Sequence, residues 1–145
     1  MIFNGTYTIT NEAGEHRTVR VKTQKEDAKF APGERIVQLL TGRDNENDYT
    51  GFGFVKDDKV NVWRSKQGNG KMSAFDWLAY LLPKAAQALV GSEGVEVEGN
   101  IEAAGRKYNV LLSKSCLRCN RKLTTPESIR RGYGEECASR LGLVA

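Results

Sequence analysis

The sequence predicts an α+β fold: a small antiparallel twisted sheet or partly open barrel with one or two packed helices, followed by a small cysteine-bearing module. Three observations lead there. Apolar and polar residues alternate with a period of two through much of the first two thirds of the 145-residue chain. One stretch, near residues 73–90, carries a helix-start signal and a helical apolar stripe. All three cysteines, Cys116, Cys119 and Cys137, fall beyond residue 105.

Residues 2–10 (IFNGTYTIT) alternate, Asn11-Glu12-Ala13-Gly14 supplies a turn, and His16 to Thr23 (HRTVRVKT) alternates again, which predicts a hairpin. Beyond Pro32-Gly33, residues 34–41 (ERIVQLLT) are short and apolar enough for a third strand, although a helical turn fits the same pattern. Residues 42–48 form a polar loop. Tyr49 to Val55 and Lys59 to Arg64 then flank Lys56-Asp57-Asp58 as a second hairpin, with Tyr49, Phe52, Phe54 and Trp63 available to a sheet face. Four to five strands are expected here.

After the basic loop of residues 65–71, Ser73 with Asp76 three residues on marks a helix start. The helix should reach about Leu82, with Phe75, Leu78, Ala79 and Leu82 on one face and Trp77, Tyr80 and Leu81 widening it. Pro83 should kink it or begin a second helix reaching Val90, because proline lacks the N–H and crowds the preceding turn. Residues 95–98 and Lys107 to Ser113 read as a late hairpin. The expected division is a β-rich domain over 1–105, with its helix near 73–90, and a basic cysteine module over 106–145.

With 39% hydrophobic and 28% charged residues, the chain can bury a core and is not compositionally disordered. No apolar run approaches the roughly 20 residues that span a bilayer. The start, Met1-Ile2-Phe3-Asn4-Gly5-Thr6, lacks the regions of a signal peptide, so a cytoplasmic protein with no membrane partner is expected. The net charge of +4 is unevenly distributed: residues 1–105 hold 13 Lys/Arg and 15 Asp/Glu, and residues 106–145 hold 9 and 3. The tail therefore carries +6 on a body of −2, a footprint suited to a polyanion.

Cys116-Leu117-Arg118-Cys119 has the spacing that lets two thiolates meet one ion from a tight knuckle, and Cys137 follows after 17 intervening residues. An odd number of cysteines without a leader argues against a disulfide framework. A zinc-knuckle-like module with one structural Zn2+ is the expectation. The fourth ligand stays open among His16, Glu127, Glu135, Glu136, the Ser128 hydroxyl and water. The competing reading is that the thiols are small buried apolar groups.

The run C-L-R-C-N-R-K-L-T-T-P-E-S-I-R-R-G-Y-G-E-E-C resembles a C-terminal module of many phage and bacterial proteins that is classed as a domain of unknown function. The matching features are Cys116 and Cys119, Arg121-Lys122-Leu123-Thr124, Pro126, Ser128, Gly132, Gly134 and Cys137. The resemblance implies zinc binding and a phage or accessory-gene setting. Thr125 is suited to cap a helix beginning at Pro126, and Gly132 and Gly134 permit the turns that return Cys137.

Catalysis is not expected. His16 is the sole histidine, leaving one candidate base for a cysteine nucleophile. The Gly68-Asn69-Gly70-Lys71-Met72-Ser73 run lacks the first glycine of a phosphate loop, and Asp44, Glu46 and Asp48 lack the pattern of a calcium loop. The aromatics of residues 51–54 fit a core face better than a base-stacking surface. Two readings remain. The first is a small non-enzymatic nucleic-acid-binding protein, with Arg118, Arg121, Lys122, Arg130 and Arg131 on phosphates. The alternative is a protein-interaction module, such as a phage-encoded inhibitor or modulator of a host or defence protein.

Overall fold

The computed structural model describes the chain apart from positions 1, 46, 92–93, 96, 114–122, 124, 132–133 and 143–145. Five strands come first: β1 (Gly5–Thr10), β2 (His16–Thr23), β3 (Arg35–Leu40), β4 (Tyr49–Lys56) and β5 (Lys59–Val62). Helix α1 (Ala74–Ala88) follows, then a two-stranded ladder of β6 (Val90–Gly91) and β7 (Gly94–Val95). A hairpin of β8 (Glu98–Ala103) and β9 (Arg106–Leu112) leads to the short helices α2 (Pro126–Arg131) and α3 (Glu135–Arg140).

Seven strands make one antiparallel sheet in the order β5-β4-β3-β2-β1-β9-β8, curled into a half-barrel. Helix α1 packs against both edge strands, β5 and β8, and so fills the mouth of the curl. Its Leu78, Leu81, Leu82, Ala85 and Ala86 are buried against Tyr7, Ile9, Val19, Val21, Val37, Leu39, Phe52, Val55 and Val110 from the concave face. Each fully buried Leu or Val contributes about 1.5–3 kcal/mol of transfer free energy. The start of α1 is closed by a capping box: Ser73 Oγ accepts the Asp76 N–H at 3.2 Å, and the Asp76 carboxylate accepts the Ser73 N–H at 2.9 Å.

The α+β expectation and the hairpin from residue 5 to 23 agree with this architecture, and five details differ. The sheet has seven strands, not four or five, because the late hairpin joins it: β9 pairs with β1, Thr8 opposite Leu111. The expected boundary at 105/106 falls in the turn of that hairpin. Residues 95–98 are not one strand, since β7 ends at Val95 and β8 begins at Glu98. Helix α1 runs through Pro83 to Ala88 because burial on both sides of the proline outweighs one lost backbone hydrogen bond. Finally, the aromatics of β4 do not share a face. A register shift opposite Val37/Gln38 inserts an extra residue in β4, so Phe52 points into the core while Phe54 turns away from it, stacking on Phe30 and meeting the Trp63 ring edge-on. The Trp63 ring lies over Gly51, where a Cβ would come within 2.9 Å of it.

Candidate functional site

The C-terminal module is built on the last strand of the sheet. Val110-Leu111-Leu112 is an apolar run without alternation, the pattern of a strand buried on both faces. Val110 faces the main core, and Leu111 faces the other way, where it joins Leu123, Ile129 and Cys137 in a second, small core. The neighbouring Thr6, Thr8 and Thr18 on that side are buried as well, with the hydroxyls of Thr8 and Thr18 3.3 Å apart. Ser113 ties the junction: its N–H donates to the Thr6 carbonyl at 2.8 Å and its hydroxyl to the Leu123 carbonyl at 2.5 Å.

Helix α2 starts as the sequence predicts. The Ser128 N–H lies 3.3 Å from Thr125 Oγ1, and the Ile129 N–H donates to the Thr125 carbonyl at 3.0 Å. Helix α3 follows Gly134 and carries Cys137 in its first turn, with the thiol buried beside Ile129.

The candidate metal ligands are distributed as follows. Cys116 and Cys119 lie outside the described residues, and Cys137 is the one cysteine whose surroundings are defined. Ser128 is buried next to Ile129, its hydroxyl 2.6 Å from that of Thr125 and 3.0 Å from the Thr125 carbonyl. Glu127, Glu135 and Glu136 are exposed in the first turns of α2 and α3, and Glu136 pairs with Arg140 at 2.8 Å. His16 is exposed at the start of β2. Among the described residues no three metal-ligating side chains converge.

Of the candidate phosphate contacts, Arg118, Arg121 and Lys122 lie outside the described residues. Arg130 and Arg131 occupy the last two positions of α2. Sequence reasoning missed Leu111 as the anchor of the module; the unbroken Val110-Leu111-Leu112 run was the available signal.

The other motifs resolve as structural. The Gly68 to Ser73 loop closes on its own helix: the Asp76 carboxylate accepts the N–H groups of Gly68 (2.8 Å) and Ser73 (2.9 Å), occupying the place a bound anion would take. Those backbone bonds, Ser73 first, hold the Asp76 carboxyl below its ordinary value. In the 42–48 loop, Asp48 accepts the Asp44 N–H and Asp44 accepts from Asn47, so both acids staple the turn.

Residues 110–142, under a quarter of the chain, match a family of unknown function (DUF6011). The matched segment starts at Val110, inside β9, and ends just beyond α3, so it coincides with the module and the strand that anchors it. No curated protein and no solved structure matches the chain.

Proposed function

We propose that the chain is a small, non-enzymatic, zinc-containing nucleic-acid-binding protein of the phage or accessory-gene type, acting through its C-terminal module. The observation that carries this reading is the charge segregation: 9 Lys/Arg against 3 Asp/Glu in residues 106–145, on a body with a net charge of −2. A polyanion approaching the molecule is attracted by the tail and weakly repelled elsewhere. In this reading Cys116, Cys119 and Cys137 hold one Zn2+, which staples a segment whose core, among the described residues, is Leu111, Leu123, Ile129 and Cys137. Arg118, Arg121, Lys122, Arg130 and Arg131 then contact phosphates, giving affinity without sequence selectivity.

Two measurements on the full chain test it. Elemental analysis of protein purified without added metal should find about one zinc per chain; less than about a tenth of an equivalent, with freely titratable thiols, removes the metal from the proposal. Replacing the five cations together by Gln should weaken binding to DNA and RNA. It should also flatten the log-log salt dependence by roughly 0.7 to 0.9 per lost phosphate contact. Unchanged binding in that variant would refute the tail as the nucleic-acid site.

A further inference from the structure

We propose that the groove between edge strand β5 and helix α1 binds an extended, acidic peptide segment of a partner protein, which pairs with β5 as an eighth strand. This surface is separate from the C-terminal module, and the proposal does not depend on nucleic-acid binding.

The strand offers backbone. Among the described residues β5 is the last strand of the sheet and pairs only with β4. The Trp63 N–H donates to the Phe52 carbonyl at 2.9 Å, so Trp63 and Asn61, two residues apart, turn their amides toward β4. Val60 and Val62 consequently turn theirs outward. The Gln67 side chain already shows this edge taking a partner: its Nε2 donates to the Val62 carbonyl at 2.8 Å, as the backbone of an added strand would. The Val60 N–H and carbonyl and the Val62 N–H remain as a row of donor, acceptor and donor, the template for strand addition.

The helix offers a wall. The groove has a volume of about 520 Å³ and is lined on the helix side by Ala79, Tyr80 and Pro83. Tyr80 is 44% exposed, and Pro83 has no N–H for the Ala79 carbonyl one turn back, so the irregular step of α1 falls on this wall. Side chains at alternate positions of an incoming strand would meet this apolar wall, as in other strand-addition grooves set between a sheet edge and a helix.

The charges select the occupant. Lys59 lines the strand side, and the Lys84 ammonium stands 5.5 Å from the Tyr80 ring on the helix side. The one acid in the lining, Asp76, is engaged by the N–H groups of Gly68 and Ser73. Cations at the rim and no uncommitted carboxylate in the lining favour a partner bearing Asp or Glu. A second copy of this chain would bring the same cations to one seam, which disfavours self-pairing.

The test uses the full chain and a labelled, end-capped peptide of eight residues alternating Val and Glu, with a Val/Lys peptide as control. The Val/Glu peptide should bind and slow hydrogen exchange at the Val60 and Val62 amides. Lys59→Glu with Lys84→Glu should weaken binding by at least about tenfold. Val60→Pro, which removes an outward N–H on an edge strand where proline is tolerated, should abolish binding while the exchange pattern of the core amides stays native. Several results would overturn the proposal: no binding at about 1 mM peptide, equal binding of the Val/Lys peptide, or shifts located elsewhere. So would displacement of the peptide by oligothymidylate with the same residues perturbed, or self-association of the chain through β5.

Discussion

The half-barrel body and the C-terminal module reach burial by different means. The body wraps one curled sheet around α1 and buries a continuous core of side chains drawn from seven strands and the helix. Among the described residues the module has two six-residue helices and a core cluster of four, one of them borrowed from β9 and one a cysteine. Helices of that length are unstable alone, and so small a core contributes a few kcal/mol at most. The body should therefore set the global stability of the chain, and the module should open locally on a scale of its own.

The largest expected effect tests that division directly. Leu82, fully buried in α1, should cost about 2–5 kcal/mol when replaced by Ala, with the denaturant midpoint falling for body and module probes alike. Ile129→Ala deletes a residue just as well buried, yet it should shift the body midpoint by less than about 0.5 kcal/mol. Its signature is loss of exchange protection confined to α2 and α3. If Ile129→Ala instead lowers the global midpoint as much as Leu82→Ala, the two cores form one cooperative unit and the comparison fails.

The same contrast explains what the sequence made legible. The hairpin β1–β2, the strands β3 and β4 and the Ser73/Asp76 cap were readable because alternation and capping are local signals that tertiary structure here reinforces. Strand β8 was missed because Glu98-Gly99-Asn100-Ile101-Glu102-Ala103 has little β-propensity. Its register depends on packing: Gly99 lies under α1, where a Cβ would sit 2.6 Å from the Ala88 carbonyl oxygen. The bulge that sends Phe52 inward and Phe54 outward is likewise a property of strand pairing, invisible to a period-two reading. In the module the cysteine spacing was plain, whereas Leu111 as anchor needed the knowledge that β9 has helices over its second face.

An intermediate effect follows from the turn that joins β8 to β9. Ala104 (φ 52°) and Gly105 (φ 76°) are both left-handed, the geometry of a two-residue hairpin that prefers Asn-Gly. Alanine has a penalty there that asparagine largely escapes, so Ala104→Asn should stabilise the body by about 0.5–1 kcal/mol. Exchange in α2 and α3 should stay as it is, since the turn lies at the opposite end of β9 from the module. A lower denaturant midpoint would show that the turn is held by contacts the backbone geometry does not reveal.

The smallest expected effect is a pH dependence that belongs to the body alone. The N–H groups of Ser73 and Gly68 hold the Asp76 carboxyl below its ordinary value in the folded state, with the Ser73 hydroxyl assisting at 3.0 Å. A carboxyl whose folded pKa is depressed contributes stability that is present above its unfolded value, near pH 4, and is lost as pH falls through the folded value. Asp76→Asn keeps a carbonyl oxygen to accept those bonds but has no proton to take up. The stability gap between the parent and the variant should therefore be full at neutral pH, begin to close below about pH 4, and shrink further with acidification. The site is open to water, so solvent screening keeps the gap modest. Denaturant midpoints for both proteins between pH 7 and pH 2 measure it. A gap that stays constant over that range would mean that the charge of Asp76 adds nothing to the cap and that its hydrogen-bonding oxygen is all that α1 uses.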